Sequence, residues 1–124
     1  MKAKVNGTEI HYELYGAEGA PWLVLSHSLA CSARMWDPQI AAFKDRYRIL
    51  AYDMRGHGAS AAPTGSYSLD MLADDVLALM QHLKIASAVF CGLSIGGLIG
   101  MWLGAHAADR IERLVLAKIG RAHV

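Results

Sequence analysis

The sequence contains only two cysteines, Cys31 and Cys91, in 124 residues. Cysteines this few and this far apart make neither a disulfide framework nor the paired spacing of a structural zinc site. We therefore expect two free thiols and no metal site. We also expect a cytoplasmic protein, because the cytoplasm keeps thiols reduced.

A strong excess of charge and a long apolar run are also missing. The formal net charge is +1 and no basic cluster stands out, which argues against nucleic acid as a partner. No apolar stretch approaches the length of a membrane span, and residues 1–15 lack the apolar core of a signal peptide. The sequence thus predicts a protein that binds neither nucleic acid nor membrane.

Hydrophobic residues are, by contrast, plentiful. They make up 54% of the chain, which is above the usual share of a soluble domain. That share favours strands that are buried on both faces of a sheet, and a chain of this length can bury one core.

The order of the predicted elements follows from turn residues and from apolar periodicity. Asn6-Gly7 between two alternating segments predicts a β-hairpin, since both turn positions need a positive φ. Asp37 is the predicted N-cap of the first helix, with Pro38 at its first helical position, and Ser68 is the predicted N-cap of the second. The predicted strands are 2–5, 8–15, 22–26, 47–52, 88–91 and 111–117, and the predicted helices are 37–43, 69–84 and 95–106.

Strands that alternate with helices indicate right-handed crossovers. The predicted fold class is therefore α/β, with a mostly parallel sheet and an antiparallel hairpin at the N-terminus. Ligands of such sheets bind beyond the carboxyl ends of the strands. The loops that begin at His27, Asp53 and Ser94 all follow predicted strands, so we expect them to meet at one edge of the sheet.

The segment Gly92-Leu93-Ser94-Ile95-Gly96 follows a predicted strand and opens a predicted helix. This pattern is typical of a nucleophile elbow, in which a strained turn exposes a serine hydroxyl beyond the sheet. The two glycines lie where side chains would collide inside so tight a turn. An ordinary Ser-Gly turn is the alternative, and the flanking strand and helix disfavour it.

Three motifs in this order resemble the α/β-hydrolase fold family over about residues 3–117. They are the elbow, the loop Asp53-Met54-Arg55-Gly56-His57-Gly58-Ala59-Ser60, and the strand that leads to His27. The resemblance implies an α/β-hydrolase fold that is truncated after the strand following the nucleophile helix. Within the family, the chain is similar to the 3-oxoadipate enol-lactonases at residues 25–29, 35–39, 52–60, 90–94, 102–104 and 113–117.

The resemblance also implies a cofactor-free serine hydrolase that acts on a small ester or lactone. Ser94 would be the nucleophile, and the backbone N–H groups of Ile95 and Leu29 would form the oxyanion hole. A core leucine is the alternative reading of Leu29.

Other polar residues receive supporting roles from the same resemblance. His27 is expected to shape the oxyanion loop rather than act as a general base, and Asp53 is expected to fix the Arg55 loop. Arg34 is a candidate partner for a substrate carboxylate, by position only. The residues expected to line the substrate pocket are His27, Ser28, Arg34 and Trp36, with a core tryptophan as the alternative for Trp36.

No residue of this chain is assigned as the catalytic acid or base, because the family places both after the strand that follows the elbow helix. Residues 1–117 are expected to be the N-terminal part of one hydrolase domain. Residues 118–124 depart from the family's pattern, and residues 119–124 resemble one reading frame of a common sequencing adapter. The hypothesis is a truncated reading frame that ends in an artefactual tail, and an inactive fragment.

The predicted activity of the intact protein is hydrolysis of 3-oxoadipate enol-lactone in aromatic catabolism. One alternative is a general carboxylesterase or another lactonase of the same fold. A second alternative, from a different class, is a non-catalytic fragment or a hydrolase-derived binding protein. The sequence favours no particular oligomeric state.

Overall fold

A computed structural model describes residues 1–117, so the predicted tail at 118–124 lies outside the described residues. Within that range, one sheet has the strand order β1-β2-β4-β3-β5-β6. The strands are β1 (Lys2–Val5), β2 (Thr8–Tyr15), β3 (Trp22–Ser26), β4 (Arg48–Tyr52), β5 (Ala88–Leu93) and β6 (Ile111–Ala117). The helices are α1 (Asp37–Phe43), α2 (Leu69–His82) and α3 (Ile95–His106), with 3₁₀ turns at Ala33–Trp36 and Ala108–Arg110.

The sheet has the predicted mixture of strand directions. β1 and β2 are antiparallel around Asn6 and Gly7, whose φ angles are 49° and 75°. β2 is also antiparallel to β4, whereas the pairs β4–β3, β3–β5 and β5–β6 are parallel. The predicted mostly parallel α/β sheet with an antiparallel N-terminal hairpin is therefore confirmed.

Both faces of the central strands are covered by helices. On β3, Val24 lies in a core that includes residues of α2 and α3, whereas Leu23 and Leu25 lie in a second core that includes Ile40 of α1. Successive side chains of a strand point to opposite faces, so a continuous apolar run is buried on both sides.

The start of α1 differs from the prediction. Asp37 as N-cap is wrong: Trp36 is the N-cap, with φ −90° and ψ 2°, and Asp37 is already helical. The cause is the 3₁₀ turn that directly precedes the helix. Its own N-cap is Ser32, whose side chain accepts a hydrogen bond from the N–H of Arg34. The chain is therefore already helical, in a 3₁₀ conformation, when α1 begins.

The end of α2 also differs, because the helix stops at His82 rather than at Lys84. Lys84 has a φ of 60°, and the N–H of Ile85 donates to the carbonyl of Met80 at 2.8 Å. These features are those of a Schellman motif, which ends a helix with one left-handed residue. Ser68 is the N-cap as predicted, and its hydroxyl accepts from the N–H of Met71.

Two strand boundaries shift by small amounts. β4 begins at Arg48, one residue after the predicted start, and β5 continues to Leu93. The extension of β5 has a clear cause, because Leu93 pairs with Ala117 of β6.

A buried ion pair joins the first hairpin to the layer of helices. The Arg55 guanidinium donates from Nε and Nη2 to the two carboxylate oxygens of Asp75 on α2, both at 2.7 Å. Nδ2 of Asn6 donates to the same carboxylate at 2.8 Å. Hydrogen bonding to Asp75 raises the pKa of Arg55. This one charged contact therefore links three elements: the hairpin turn, the loop that follows β4, and the helix α2.

Candidate active site

Ser94 occupies the junction between β5 and α3 with an unusual backbone conformation. Its φ is 57° and its ψ is −117°, a region that residues with side chains rarely adopt and that costs about 1–3 kcal/mol. Its N–H donates to the carbonyl of Ala117 on the neighbouring strand at 3.0 Å. A strained serine between a strand and a helix is the geometry that the elbow motif predicts.

The two elbow glycines are needed because backbone passes close to each. A Cβ at Gly92 would overlap the backbone of Gly96, and a Cβ at Gly96 would overlap the carbonyls of Ser26 and His27. The elbow thus packs against the C-terminal end of β3, and the loop after β3 begins next to the elbow.

Replacement of Gly96 by alanine is expected to destabilise the fold by about 1–3 kcal/mol, because the new methyl group meets backbone that cannot move aside. Urea unfolding measures this loss. Gly104→Ala, in the same helix, is the matched control: its Cβ would meet only a side-chain atom of Leu114 at 3.5 Å. We expect that control to gain roughly 0.5–1 kcal/mol from helix propensity. A Gly96→Ala variant as stable as wild type would contradict the close packing of the elbow.

The two backbone N–H groups predicted to form the oxyanion hole, those of Ile95 and Leu29, have no acceptor among residues 1–117. Ile95 is the first residue of α3, where an N–H has no partner within the helix. Leu29 has a 63% exposed side chain, so its alternative reading as a core leucine is wrong. Both groups remain candidate donors to an oxyanion.

His27 is fully buried, and both of its ring nitrogens are occupied. Nε2 accepts a hydrogen bond from the N–H of Met54 at 2.9 Å, so Nδ1 carries the proton and donates to the carbonyl of Ser28 at 2.7 Å. Burial lowers the pKa of His27. The ring therefore holds the loop and has no nitrogen free for a substrate.

The neutral state of His27 predicts a pH dependence of stability. The unfolded chain protonates this histidine near its ordinary pKa of about 6.5, whereas the folded state resists protonation until a lower pH. The free energy of unfolding should therefore fall as the pH drops from about 7 to 5, by at most about 1.4 kcal/mol per pH unit from this group.

Urea unfolding across that pH range tests the dependence with His27→Gln, which should show a shallower slope than wild type. His82→Gln is the matched control, because His82 is exposed, and it should keep the wild-type slope. Equal slopes for wild type and His27→Gln would contradict the prediction.

Asp53, at the end of β4, lies at the centre of a network of hydrogen bonds. Its Oδ1 accepts from the N–H of Ala33 at 2.7 Å, and its Oδ2 accepts from the N–H of Ala59 at 3.0 Å. His11 Nδ1 lies 3.1 Å from the same Oδ2. Burial by itself raises the pKa of Asp53, but these hydrogen bonds outweigh it and the pKa is lowered. The link to Ala33 carries no local signal in the sequence.

The remaining predicted pocket residues lie in three different surroundings. Trp36 is buried and lines a groove of about 180 Å³ between α1 and the sheet. Arg34 is exposed and lines a different cavity, of about 310 Å³, that is also lined by Asp37 and Asp53. Ser28 lies in the loop itself, where its hydroxyl donates to the Cys31 sulfur at 3.1 Å.

A general base for Ser94 is not found within residues 1–117. None of the described hydrogen bonds joins a histidine to Ser94: the rings of His11, His27, His57 and His106 all bond elsewhere. Residues 1–117 also contain no cluster of three side chains that could hold a metal ion. Both cysteines in this range are free thiols, and burial raises the pKa of Cys91.

None of the helices in the described part of the chain has both the length and the apolar character that a bilayer crossing requires.

Comparison with known proteins places this geometry in a family. A model described as the alpha/beta hydrolase fold matches residues 21–123. The chain is 45% identical over 117 residues to 3-oxoadipate enol-lactonase 2 of Acinetobacter baylyi, an alignment that covers 91% of this chain and 44% of the relative. It is 33% identical to a bifunctional esterase/perhydrolase of Acinetobacter calcoaceticus, over 90% of this chain and 41% of the relative.

Among solved structures, the enol-lactonase of Burkholderia xenovorans superimposes with a TM-score of 0.90 at 55% identity, over 92% of this chain and 45% of that one. The chain thus spans less than half the length of these relatives. The family match, the sheet order and the strained serine between β5 and α3 agree, and the chain belongs to the α/β-hydrolase fold family.

Proposed function

We propose that the full-length protein containing this chain is a serine hydrolase of carboxylic esters, with 3-oxoadipate enol-lactone as its substrate. The observation that carries the proposal is Ser94 at positive φ between β5 and α3, with the N–H groups of Ile95 and Leu29 free of acceptors among residues 1–117. The identity of 45–55% to enol-lactonases supports this choice of substrate.

In the proposed reaction, Ser94 Oγ attacks the lactone carbonyl while a base removes its proton. The Oγ–carbon bond forms, and the Ile95 and Leu29 N–H groups hold the negative charge on the carbonyl oxygen. The ring C–O bond then breaks and the enolate leaves, to become a ketone after protonation. Water releases the dicarboxylic keto acid from Ser94. No described histidine bonds to Ser94, so the proposal places the base in another part of the full-length protein.

The proposal also covers the cellular location of the reaction, its metabolic pathway and the molecules that the protein binds. The setting is cytoplasmic catabolism of aromatic compounds through 3-oxoadipate, and the only proposed partner is the small ester or lactone. No cofactor takes part in the steps above.

A general carboxylesterase is the second candidate, favoured by the similarity to an esterase/perhydrolase. Assay of the full-length protein on the enol-lactone beside simple aryl esters separates the two. We expect kcat/KM to be higher for the enol-lactone, and higher values for aryl esters would overturn the lactonase assignment.

A fluorophosphonate probe separates both enzymes from a non-catalytic protein. The full-length protein should be labelled at Ser94, because an activated serine is the group that reacts. The 124-residue chain should not be labelled, because no base is available to Ser94 among the described residues. A full-length protein that resists the probe would favour the binding-protein alternative.

A further inference from the structure

The loop of residues 27–32 carries the second candidate oxyanion donor, and its backbone is strained. The N–H of Cys31 donates to the carbonyl of Ser28 at 3.2 Å, which closes a turn with Leu29 and Ala30 in its middle. Ala30 has a φ of 61°, a value that glycine prefers at the third position of such a turn. A strained turn with an exposed tip persists only when its surroundings hold it in place.

Two consecutive residues at the end of β4 hold the two ends of this loop. The N–H of Met54 donates to Nε2 of His27 at the first end. The carboxylate of Asp53 accepts from the N–H of Ala33, directly after the other end. The loop that carries Leu29 is therefore held at both ends by the two residues that follow directly after Tyr52, the last residue of β4. In the proposed reaction, Leu29 contributes only its backbone N–H.

The contact at Ala33 requires a carboxylate. Asp53 receives N–H donors on both of its oxygens, from Ala33 on Oδ1 and from Ala59 on Oδ2. A Cβ at Gly58 would overlap the carboxyl group, so the space around it is closed. An asparagine there would present an NH₂ group to one of the two N–H donors and could not satisfy both.

We propose that Asp53 is a positioning residue for ester hydrolysis: through Ala33 it fixes the loop that places the Leu29 N–H at the oxyanion. This inference rests on the proposed function of Ser94. It assigns Asp53 neither contact with the substrate nor a part in proton transfer.

Two variants of the full-length protein test the inference. Asp53→Asn changes the acceptor. Ala33→Pro removes the donor, and its ring carbon, in place of the amide hydrogen, also displaces Ala33 from the carboxylate. Its backbone suits proline, because Ala33 opens a 3₁₀ turn after Ser32, whose φ and ψ of −150° and 178° are allowed before proline. Asp74→Asn is the matched control, because Asp74 is an exposed carboxylate on α2.

The first measurement is amide hydrogen exchange at Cys31, relative to Val24 in the buried strand β3 as a monitor of global unfolding. Exchange at Cys31 should become roughly tenfold faster or more in both variants and stay unchanged in Asp74→Asn. Unchanged exchange at Cys31 in both variants would overturn the inference, whatever the activity of the protein.

The second measurement is the division of the effect between kcat and KM. We expect kcat to fall on the order of 10- to 100-fold in both variants with KM nearly unchanged, because a displaced donor is lost mainly in the transition state. Wild-type kcat in a variant whose loop exchanges faster would overturn the positioning role while leaving the function of Ser94 intact. Full activity in Ser94→Ala would instead reject the proposed function, and the exchange data would still decide whether Asp53 holds the loop.

Discussion

Replacement of Ser94 by alanine is expected to abolish ester hydrolysis by the full-length protein, with a fall in kcat on the order of 10⁶-fold. The reason is geometric as well as chemical. Ser94 stands at a φ of 57° and a ψ of −117° at the start of α3, so its hydroxyl and the N–H of Ile95 belong to the same rigid junction. Without the hydroxyl no acyl-enzyme forms, and water must attack without a positioned nucleophile.

Initial rates on the enol-lactone and on an aryl ester measure the effect, together with loss of fluorophosphonate labelling. Ser66→Ala is the matched control, because Ser66 is exposed in the loop before α2, and it should retain the wild-type rate. Activity in Ser94→Ala within about tenfold of wild type would show that another residue is the nucleophile.

Replacement of Asp75 by alanine is expected to give the largest loss of stability, about 3–5 kcal/mol. The side chains of Arg55 and Asp75 are both nearly inaccessible, at 7% and 3% exposure. Without the carboxylate, the guanidinium is a buried charge with no counterion, and Nδ2 of Asn6 also loses its acceptor. Small domains have a total stability of about 5–15 kcal/mol, so this loss is a large fraction of the whole.

Urea unfolding of Asp75→Ala measures this loss against Asp74→Ala, in which an exposed neighbour on the same helix is removed. The control should change by no more than about 0.5 kcal/mol. A double variant, Arg55→Met with Asp75→Leu, should be more stable than Asp75→Ala, because it removes the stranded charge. A loss below about 1 kcal/mol in Asp75→Ala would show that the ion pair is not desolvated as its burial indicates.

The predictions that rest on short stretches of sequence agree best with the structure. Asn6-Gly7 specifies a hairpin turn because both residues must take a positive φ, and they do. Gly92 likewise reports a local requirement, since a Cβ there would overlap the backbone of Gly96 only four residues away. Patterns of this kind can be recognised without knowing what packs against them.

Two of the boundaries that were wrong depend on neighbouring segments. The start of α1 depends on the 3₁₀ turn capped by Ser32, and the length of β5 depends on the partner strand that pairs Leu93 with Ala117. The surroundings of His27, Trp36 and Arg34 likewise depend on distant contacts. The type of a residue does not determine on which side of the sheet its side chain lies. Nor does it determine which backbone groups form hydrogen bonds with that side chain.

The sequence alone determined the alternation of strands and helices and the place of Ser94 at a tight turn, because periodicity and turn chemistry act over a few residues. Only the tertiary structure decided which polar groups pair across long stretches of the chain. Asn6 meets Asp75 across 69 positions and Ala33 meets Asp53 across 20. Contacts of this range form when sheet and helices pack together and buried polar groups must find partners, a condition that no short segment contains.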